Sequence, residues 1–253
     1  MANNYLTIFS YFFDTLFPNR CQICGAPLKS GGYICNSCEL NIEYIKGNTC
    51  KRCGAPVSLK VQKSGLDLDS ENIWICSNCR GFNFRFNINE SLYVYSGILR
   101  ELIHIYKFEK RWKLYKYFSE KIIEYKLEYI EKHDYIVAVP LSKSRLKKRG
   151  YNQSSLIADE ISKRSGIKYL KNAIKRRGSS KPQSLTNSFK ERYINMTDKI
   201  TLNHRYEDLI NNKNILLFDD ILTTGITASE CAKALYDNNA KSVNLLTIAR
   251  TLR

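Results

Sequence analysis

Acid is what this chain is short of. Its 253 residues carry 24 aspartates and glutamates against 40 lysines and arginines, a formal net charge of +16. The deficit is uneven. Residues 1–90 hold nine basic and seven acidic residues, a net of +2, and the remaining 163 hold 31 and 17, a net of +14. A surface charged only for solubility rarely needs such an excess, whereas polyanionic ligands do. Long apolar runs are missing too. The segment LTIFSYFFDTLF at residues 6–17 contains Asp14 and is too short to cross a bilayer. With no basic n-region or small-residue cleavage site beside it, it is no secretory signal. We expect an amphipathic helix stopped by Pro18 and packed on the neighbouring module, with membrane contact as the lesser alternative. The chain is therefore expected to be cytoplasmic, without a membrane span. Finally, no His/Cys/Ser arrangement suits nucleophilic catalysis. His104 falls among apolar helix positions and reads as a packed or surface histidine, and Cys231 reads as core.

Cysteine, by contrast, is plentiful and patterned. Eight of the nine fall into four C-x-x-C pairs: Cys21 and Cys24, Cys35 and Cys38, Cys50 and Cys53, Cys76 and Cys79. Cysteines two apart are poor partners for structural disulfides, but both sulfurs of such a knuckle face one ion, so the pattern points to zinc in a reducing compartment. C-x-x-C-G-A-P occurs twice, at residues 21–27 and 50–56, an internal repeat. Sequential pairing is simplest, giving two structural Zn²⁺ ions on four cysteines each, across gaps of ten and 22 residues. A crossed pairing stays open. This module is expected to stand apart, so that Cys50→Ser would loosen it without touching a ligand site elsewhere.

The rest is organised around ILLFDDILTTGIT, residues 215–227. Four apolar residues ending in Asp219 and Asp220 read as a buried strand of an α/β sheet, and residues 228–236 read as a helix. Unpaired N–H groups at a helix start bind phosphate, and Gly225 would let the backbone approach it. Thr223, Thr224 and Thr227 add hydroxyls. Two carboxylates beside a phosphate nest would repel the phosphate itself, so they suit hydroxyls or a metal ion, and the ligand is expected to be a sugar phosphate. The motif resembles the PRPP-binding motif of type I phosphoribosyltransferases (PRPP, 5-phosphoribosyl 1-pyrophosphate). The resemblance implies that Asp219 and Asp220 hold the ribose hydroxyls, and that Ile221, Leu222, Thr223, Thr224, Gly225, Ile226 and Thr227 form the loop on the 5′-phosphate.

Other segments fit an α/β domain expected over residues 89–253, after a double zinc-ribbon module at 1–88. Residues 91–95, 134–139 and 242–249 read as strands, and 97–133 as two helices with a register break near Glu109. Trp112, Tyr115, Phe118, Ile122 and Leu127 continue the apolar face in the second helix. Residues 82–86 read as a linker, and 199–212 as a loop. Residues 141–153 form a basic loop before a helix at 154–164. This loop should share the sheet edge of the two acids, with Lys143, Arg145 and Arg149 placed for a pyrophosphate. Residues 175–195 are polar and nearly free of apolar residues, so they read as a lid in which Arg176 and Arg192 are candidates.

From end to end the chain is similar to the ComF/GntX family. The similarity rests on FPNRC followed by x-x-C-G at 17–25, the further cysteine pairs, and Tyr95-Ser-Gly97 with Leu102, Ile103, Lys107 and Phe108. Val139-Pro-Leu141, Arg149-Gly-Tyr-Asn-Gln153, Gln183, Arg192 with Asn195, and residues 219–227 complete it. The resemblance implies a zinc ribbon, a type I phosphoribosyltransferase-like parallel sheet flanked by helices, PRPP with Mg²⁺, and a role in taking up single-stranded DNA with other competence proteins. Family members often carry Asn-x-x-Gly-Ala-Phe where Asn195 is here followed by Met-Thr-Asp-Lys, and no acceptor-specificity element is recognisable. Three readings therefore stay open: a PRPP-binding protein of DNA uptake that handles single strands, an active phosphoribosyltransferase of nucleotide metabolism, and a PRPP-sensing regulator without turnover. Turnover would displace pyrophosphate from C1 with Asp219, Asp220, Arg176 and Arg192 as catalytic candidates.

Overall fold

A computed structural model describes residues 19–28, 32–56, 74–176 and 200–252. The expected helix at 6–17, and the expected lid beyond Arg176 with Arg192, lie outside the described residues. The cysteine repeat folds as a repeat. Bridges Arg20↔Pro27 and Thr49↔Pro56 close equivalent turns, in which Gly25 and Gly54 take left-handed backbones (φ 73° and 67°). Their N–H groups return to Cys21 O and Cys50 O at 3.0 and 2.8 Å. A short helix follows each second cysteine pair's first member: α1 (Asn36–Leu40) and α2 (Ser77–Arg80).

Beyond them the chain runs β1 (Asn89–Val94), α3 (Gly97–Phe108), α4 (Leu114–Ile130), β2 (Tyr135–Ala138), α5 (Lys143–Arg149), α6 (Gln153–Ser165) and β3 (Lys168–Tyr169). Then come β4 (Ile174–Arg176), β5 (Ile200–Leu202), a 3₁₀ turn (His204–Tyr206), α7 (Glu207–Ile210), β6 (Asn214–Leu222), α8 (Ile226–Tyr236) and β7 (Ser242–Arg250). Five strands form one parallel sheet in the order β1-β7-β6-β2-β3, and β4 pairs antiparallel with β5 in a separate ribbon. Residues 215–218 are buried on both sides, which is why β6 sits in the middle. The expected parallel sheet flanked by helices, with the double ribbon before it, is what forms.

The helical stretch breaks as its register predicts, with Lys110 in a left-handed backbone (φ 56°) between α3 and α4. Four expectations need correction, the fourth being the linker. Trp112 and Leu127 are 46% and 36% exposed. Trp112 precedes α4, and Leu127 stands nine residues, about half a turn around the helix, from Phe118. The basic loop is largely helix α5. Ser142 accepts the Arg145 N–H at its start (3.4 Å), and Gly150 ends it with φ 83°. Where a loop was expected at 199–212, the described residues from 200 hold β5, the 3₁₀ turn and α7.

The linker expected at 82–86 is core. Phe84 and Phe86 are buried and stacked with centroids 4.8 Å apart. With Cys50, Cys53 and Cys79 they join one apolar cluster with β6, β7 and α8, while α3, α4 and α6 cover the other face of the sheet. The second ribbon thus shares a core with the sheet instead of standing apart. Among the described residues no helix is long and apolar enough to cross a membrane.

Candidate functional site

The eight paired cysteines gather sequentially into two groups, Cys21, Cys24, Cys35 and Cys38, and Cys50, Cys53, Cys76 and Cys79, the sulfurs of each lying within 4.8 Å of one another. Zinc at the usual ~2.3 Å from four tetrahedral sulfurs sets them about 3.8 Å apart. Cys24 Sγ and Cys35 Sγ are 3.6 Å apart, and Cys53 Sγ and Cys76 Sγ 3.7 Å. The Cys35 and Cys76 N–H groups each donate to a sulfur, of Cys21 and Cys50, at 3.4 Å. Clustered thiolates without a cation would repel, so the donor set and spacing fit structural Zn²⁺ in both sites.

The second centre lies at the carboxyl end of the sheet. β2 and β6 are neighbours, but the chain leaves β2 towards β3 and leaves β6 towards β7. That divergence opens a crevice at the strand ends, where open α/β sheets take ligands. Asp219 and Asp220 lie there, still inside β6, which pairs with β7 as far as Leu222↔Arg250. The adjacent acids meet different partners. Lys107, from α3, sets Nζ 2.8 Å from Asp220 Oδ2. Asp219 Oδ1 accepts from Ser154 Oγ of α6 (3.0 Å) and from the Asp220 N–H (2.8 Å). Asp219 is half-exposed by surface area, yet dense protein surrounds it at longer range. Desolvation first, then the Asp220 charge, push its carboxyl up to about 7, against the pull of the Asp220 N–H, Lys107 and Ser154.

The Thr/Gly turn follows at once. Thr223 is exposed, Thr224 and Thr227 are half-buried, and the Leu222 and Ile226 side chains belong to the core, so only their backbone faces the crevice. Thr224 Oγ1 accepts the Ile226 N–H at 3.5 Å, capping the start of α8. Gly225 is left-handed (φ 77°), and a Cβ there would stand 2.4 Å from Phe84 Cε1. The close approach that demands glycine is therefore made by the Phe84 ring. Two further residues brace the turn. Buried Arg250 donates to Leu222 O and Thr223 O at 3.1 and 2.9 Å, and Ser229 Oγ accepts the Arg85 N–H at 3.0 Å.

The expected basic residues divide around α5. Lys143 and Arg176 line one cavity of about 430 Å³. Arg149 lines another of about 400 Å³ with Lys107. The Arg145 charge is felt by both Arg149 and Arg176, and burial is the main force disfavouring ionisation of those two guanidinium groups. His104 is an exposed helix residue 3.7 Å from Glu109, and Cys231 is buried in the core, both as expected. Lys107, Ser154, Phe84 and Arg250 were not among the expected site residues. Only Lys107 left a signal: it lies four residues after buried Ile103, on the apolar stripe of its helix, where a lysine needs an anionic partner.

A double zinc-ribbon module built into a parallel α/β domain is thus the class of protein this chain represents. It is a homologue of the bacterial proteins called Competence protein ComFC and DNA utilization protein YhgH, and the family resemblance of its sequence is borne out. Residues 12–80 match the family described as Double zinc ribbon domain. The Bacillus subtilis ComFC is 28% identical over 236 residues, 88% of this chain and 87% of that protein. The Escherichia coli K12 YhgH is 27% identical over 241 residues, 93% and 98%. A Streptococcus pneumoniae ComFC is 26% identical over 246 residues, 91% and 100%. Among solved structures, one of the allosteric regulatory enzyme of purine biosynthesis overlaps 46% of this chain and only 22% of its own, at 16% identity and a TM-score of 0.29.

Proposed function

We propose that the protein binds PRPP with Mg²⁺ in the crevice between β2 and β6, and that it serves DNA uptake by handling single-stranded DNA alongside other uptake proteins. One observation carries the PRPP reading: two carboxylates and a threonine-rich helix start sit together where the strand connections diverge. Asp219 and Asp220 accept the ribose hydroxyls, while Thr223, Thr224 and the N–H groups from Gly225 to Thr227 take the 5′-phosphate. Lys107 orients Asp220 for this. Lys143, Arg145 and Arg149 on α5, with Arg176 at the end of β4 beside Lys143, supply the countercharge a diphosphate needs. Mg²⁺ would add neutralising charge on the diphosphate next to the two carboxylates. The names of the relatives and the +14 of residues 91–253 support the DNA role. The thiolate clusters suit a reducing cytoplasm.

Calorimetry with PRPP and Mg²⁺ tests the site. Asp220→Asn is nearly isosteric at a strand position and should retain the fold. It should weaken binding ten- to a hundredfold, since a lost charge-assisted hydrogen bond costs about 1.5–3 kcal/mol. Thr224→Val should weaken it too, with zinc content unchanged. Wild-type affinity in both variants would overturn the sugar-phosphate reading. Pyrophosphate release on adding acceptor bases would convert the binding site into that of an active phosphoribosyltransferase.

A further inference from the structure

Two half-exposed aromatic rings that none of the roles above uses stand on a basic corner beside the crevice. Phe108 ends α3 and is 48% exposed, and Trp112, in the turn before α4, is 46% exposed. Such rings normally find cover in a core. Here their neighbours are cations. Residues 107–116 carry five lysines and arginines against the single acid Glu109, and residues 143–149 carry five against none. The Arg149 guanidinium lies 4.9 Å from the Phe108 ring centre, and the Lys113 ammonium 5.9 Å from that of Trp112. Trp112 lies parallel to Tyr115, with centroids 6.1 Å apart and 10° between planes. Between α3 and the end of α5 lies the cavity of about 400 Å³, walled by His104, Lys107, Phe108, Lys110, Lys148 and Arg149. Its Lys107 is the residue bonded to Asp220, so the corner adjoins the crevice. Glu109 is turned to His104, 3.7 Å away. Tyr151, in the neighbouring basic segment, is half-buried, lies against Tyr106 and donates its hydroxyl to Tyr106 O, so it presents no free face.

We propose that this corner is the surface that binds single-stranded nucleic acid, with bases stacked on Phe108 and Trp112 and phosphates on Lys110 and Lys148. The inference rests on the DNA-handling reading above and gives it a location. Rings interleaved with cations match a chain whose bases are unpaired. Base faces in a duplex are already stacked on one another, and a folded acidic protein has no repeating flat rings to offer. The strand then runs past Lys107 into the mouth of the crevice, which places the nucleic acid and the sugar-phosphate site side by side.

Anisotropy of a labelled oligodeoxythymidine, titrated with the zinc-loaded full chain over a range of salt, tests this. Trp112→Ala should weaken binding about fivefold or more, and Trp112→Phe should retain most of it. Lys110→Ala and Lys148→Ala should each flatten the log–log salt dependence by about 0.7. Lys168→Ala, exposed at the amino end of β3 and so at the opposite end of the parallel strands from the crevice, should match wild type. Unlabelled duplex should compete poorly. If wild type binds and the corner variants bind equally well, the surface is wrong and the DNA-handling reading stands. If duplex competes as well as single strand, base stacking here is overturned. If wild type does not bind even at low salt, both the surface and the reading fall, while PRPP binding is judged separately by calorimetry.

Discussion

At the scale of single residues, the two adjacent acids are the informative pair, because one strand gives them different chemistry. Asp220 is met by an ammonium group, and Asp219 by a hydroxyl and a backbone N–H. The raised carboxyl of Asp219 makes a signed prediction. Its folded value, about 7, exceeds the ordinary aspartate value of 3.8. Its contribution to stability is therefore complete at pH below about 4 and is lost as the pH rises through about 7. Ligand binding should move the other way, since the carboxylate is the better acceptor for ribose hydroxyls and Mg²⁺. The charges it senses come from Asp220 beside it, Lys107 on α3 and Arg149 at the end of α5. PRPP affinity should climb as pH passes through about 7, and Asp219→Asn should flatten that climb. The phosphates of PRPP titrate near pH ~6, and comparing variant with wild type subtracts them. An equally steep profile in Asp219→Asn would mean that this carboxyl does not control the site.

At the scale of elements, the loop between β6 and α8 is shaped from beneath. Phe84 fills the space a Cβ at residue 225 would need, and Arg250 at the end of β7 holds the carbonyls that precede it. Gly225→Ala combines a left-handed backbone, ~1–2 kcal/mol for an L-residue, with the clash against Phe84. The melting temperature should fall by at least a few degrees and PRPP affinity with it. Adding Phe84→Leu should recover the part due to the clash but not the part due to φ. Purely additive effects would show that ring and glycine do not touch. None of this was visible in the sequence, where residues 82–86 look like a linker. What was legible was local and periodic: the buried run of β6, the break between α3 and α4, and the cysteine pairs. Helix α5 was missed because it buries no side chain and so has no apolar stripe, although its cap residues Ser142 and Gly150 were in view. The partners of the two acids and the strand order β1-β7-β6-β2-β3 depend on contacts across the fold, which spacing along a chain does not encode.

Across the whole molecule, the two zinc sites differ in what depends on them. Asn89, at the start of β1, donates to Cys53 O (3.1 Å) and Ser91 Oγ (2.8 Å), and Ser91 meets Thr247 of β7 (2.6 Å). A Cβ on Gly54 would lie 2.7 Å from Asn89 O, so the knuckle is seated directly on the strand. Cys50, Cys53 and Cys79 share the apolar cluster of α8, and Phe84 and Arg85 carry the contact on to Gly225 and Ser229. In the first site Cys24 is exposed, and none of its four cysteines joins that cluster. A structural zinc contributes on the order of 10 kcal/mol to the fold that encloses it. Losing the second ion should therefore loosen the Thr/Gly loop, whereas losing the first should disturb mainly its own ribbon. Cys53→Ser should lower zinc to about one ion per chain, reduce the melting temperature of the whole protein and weaken PRPP binding at least tenfold. Cys24→Ser should cost one ion as well, with PRPP affinity within about twofold of wild type. Because binding couplings are reciprocal, PRPP with Mg²⁺ should also slow removal of the second zinc by a chelator without protecting the first. Equal PRPP affinities in the two cysteine variants, or equal protection of both ions, would show that the second ribbon does not support the crevice, and would restore the picture of a zinc module that stands apart.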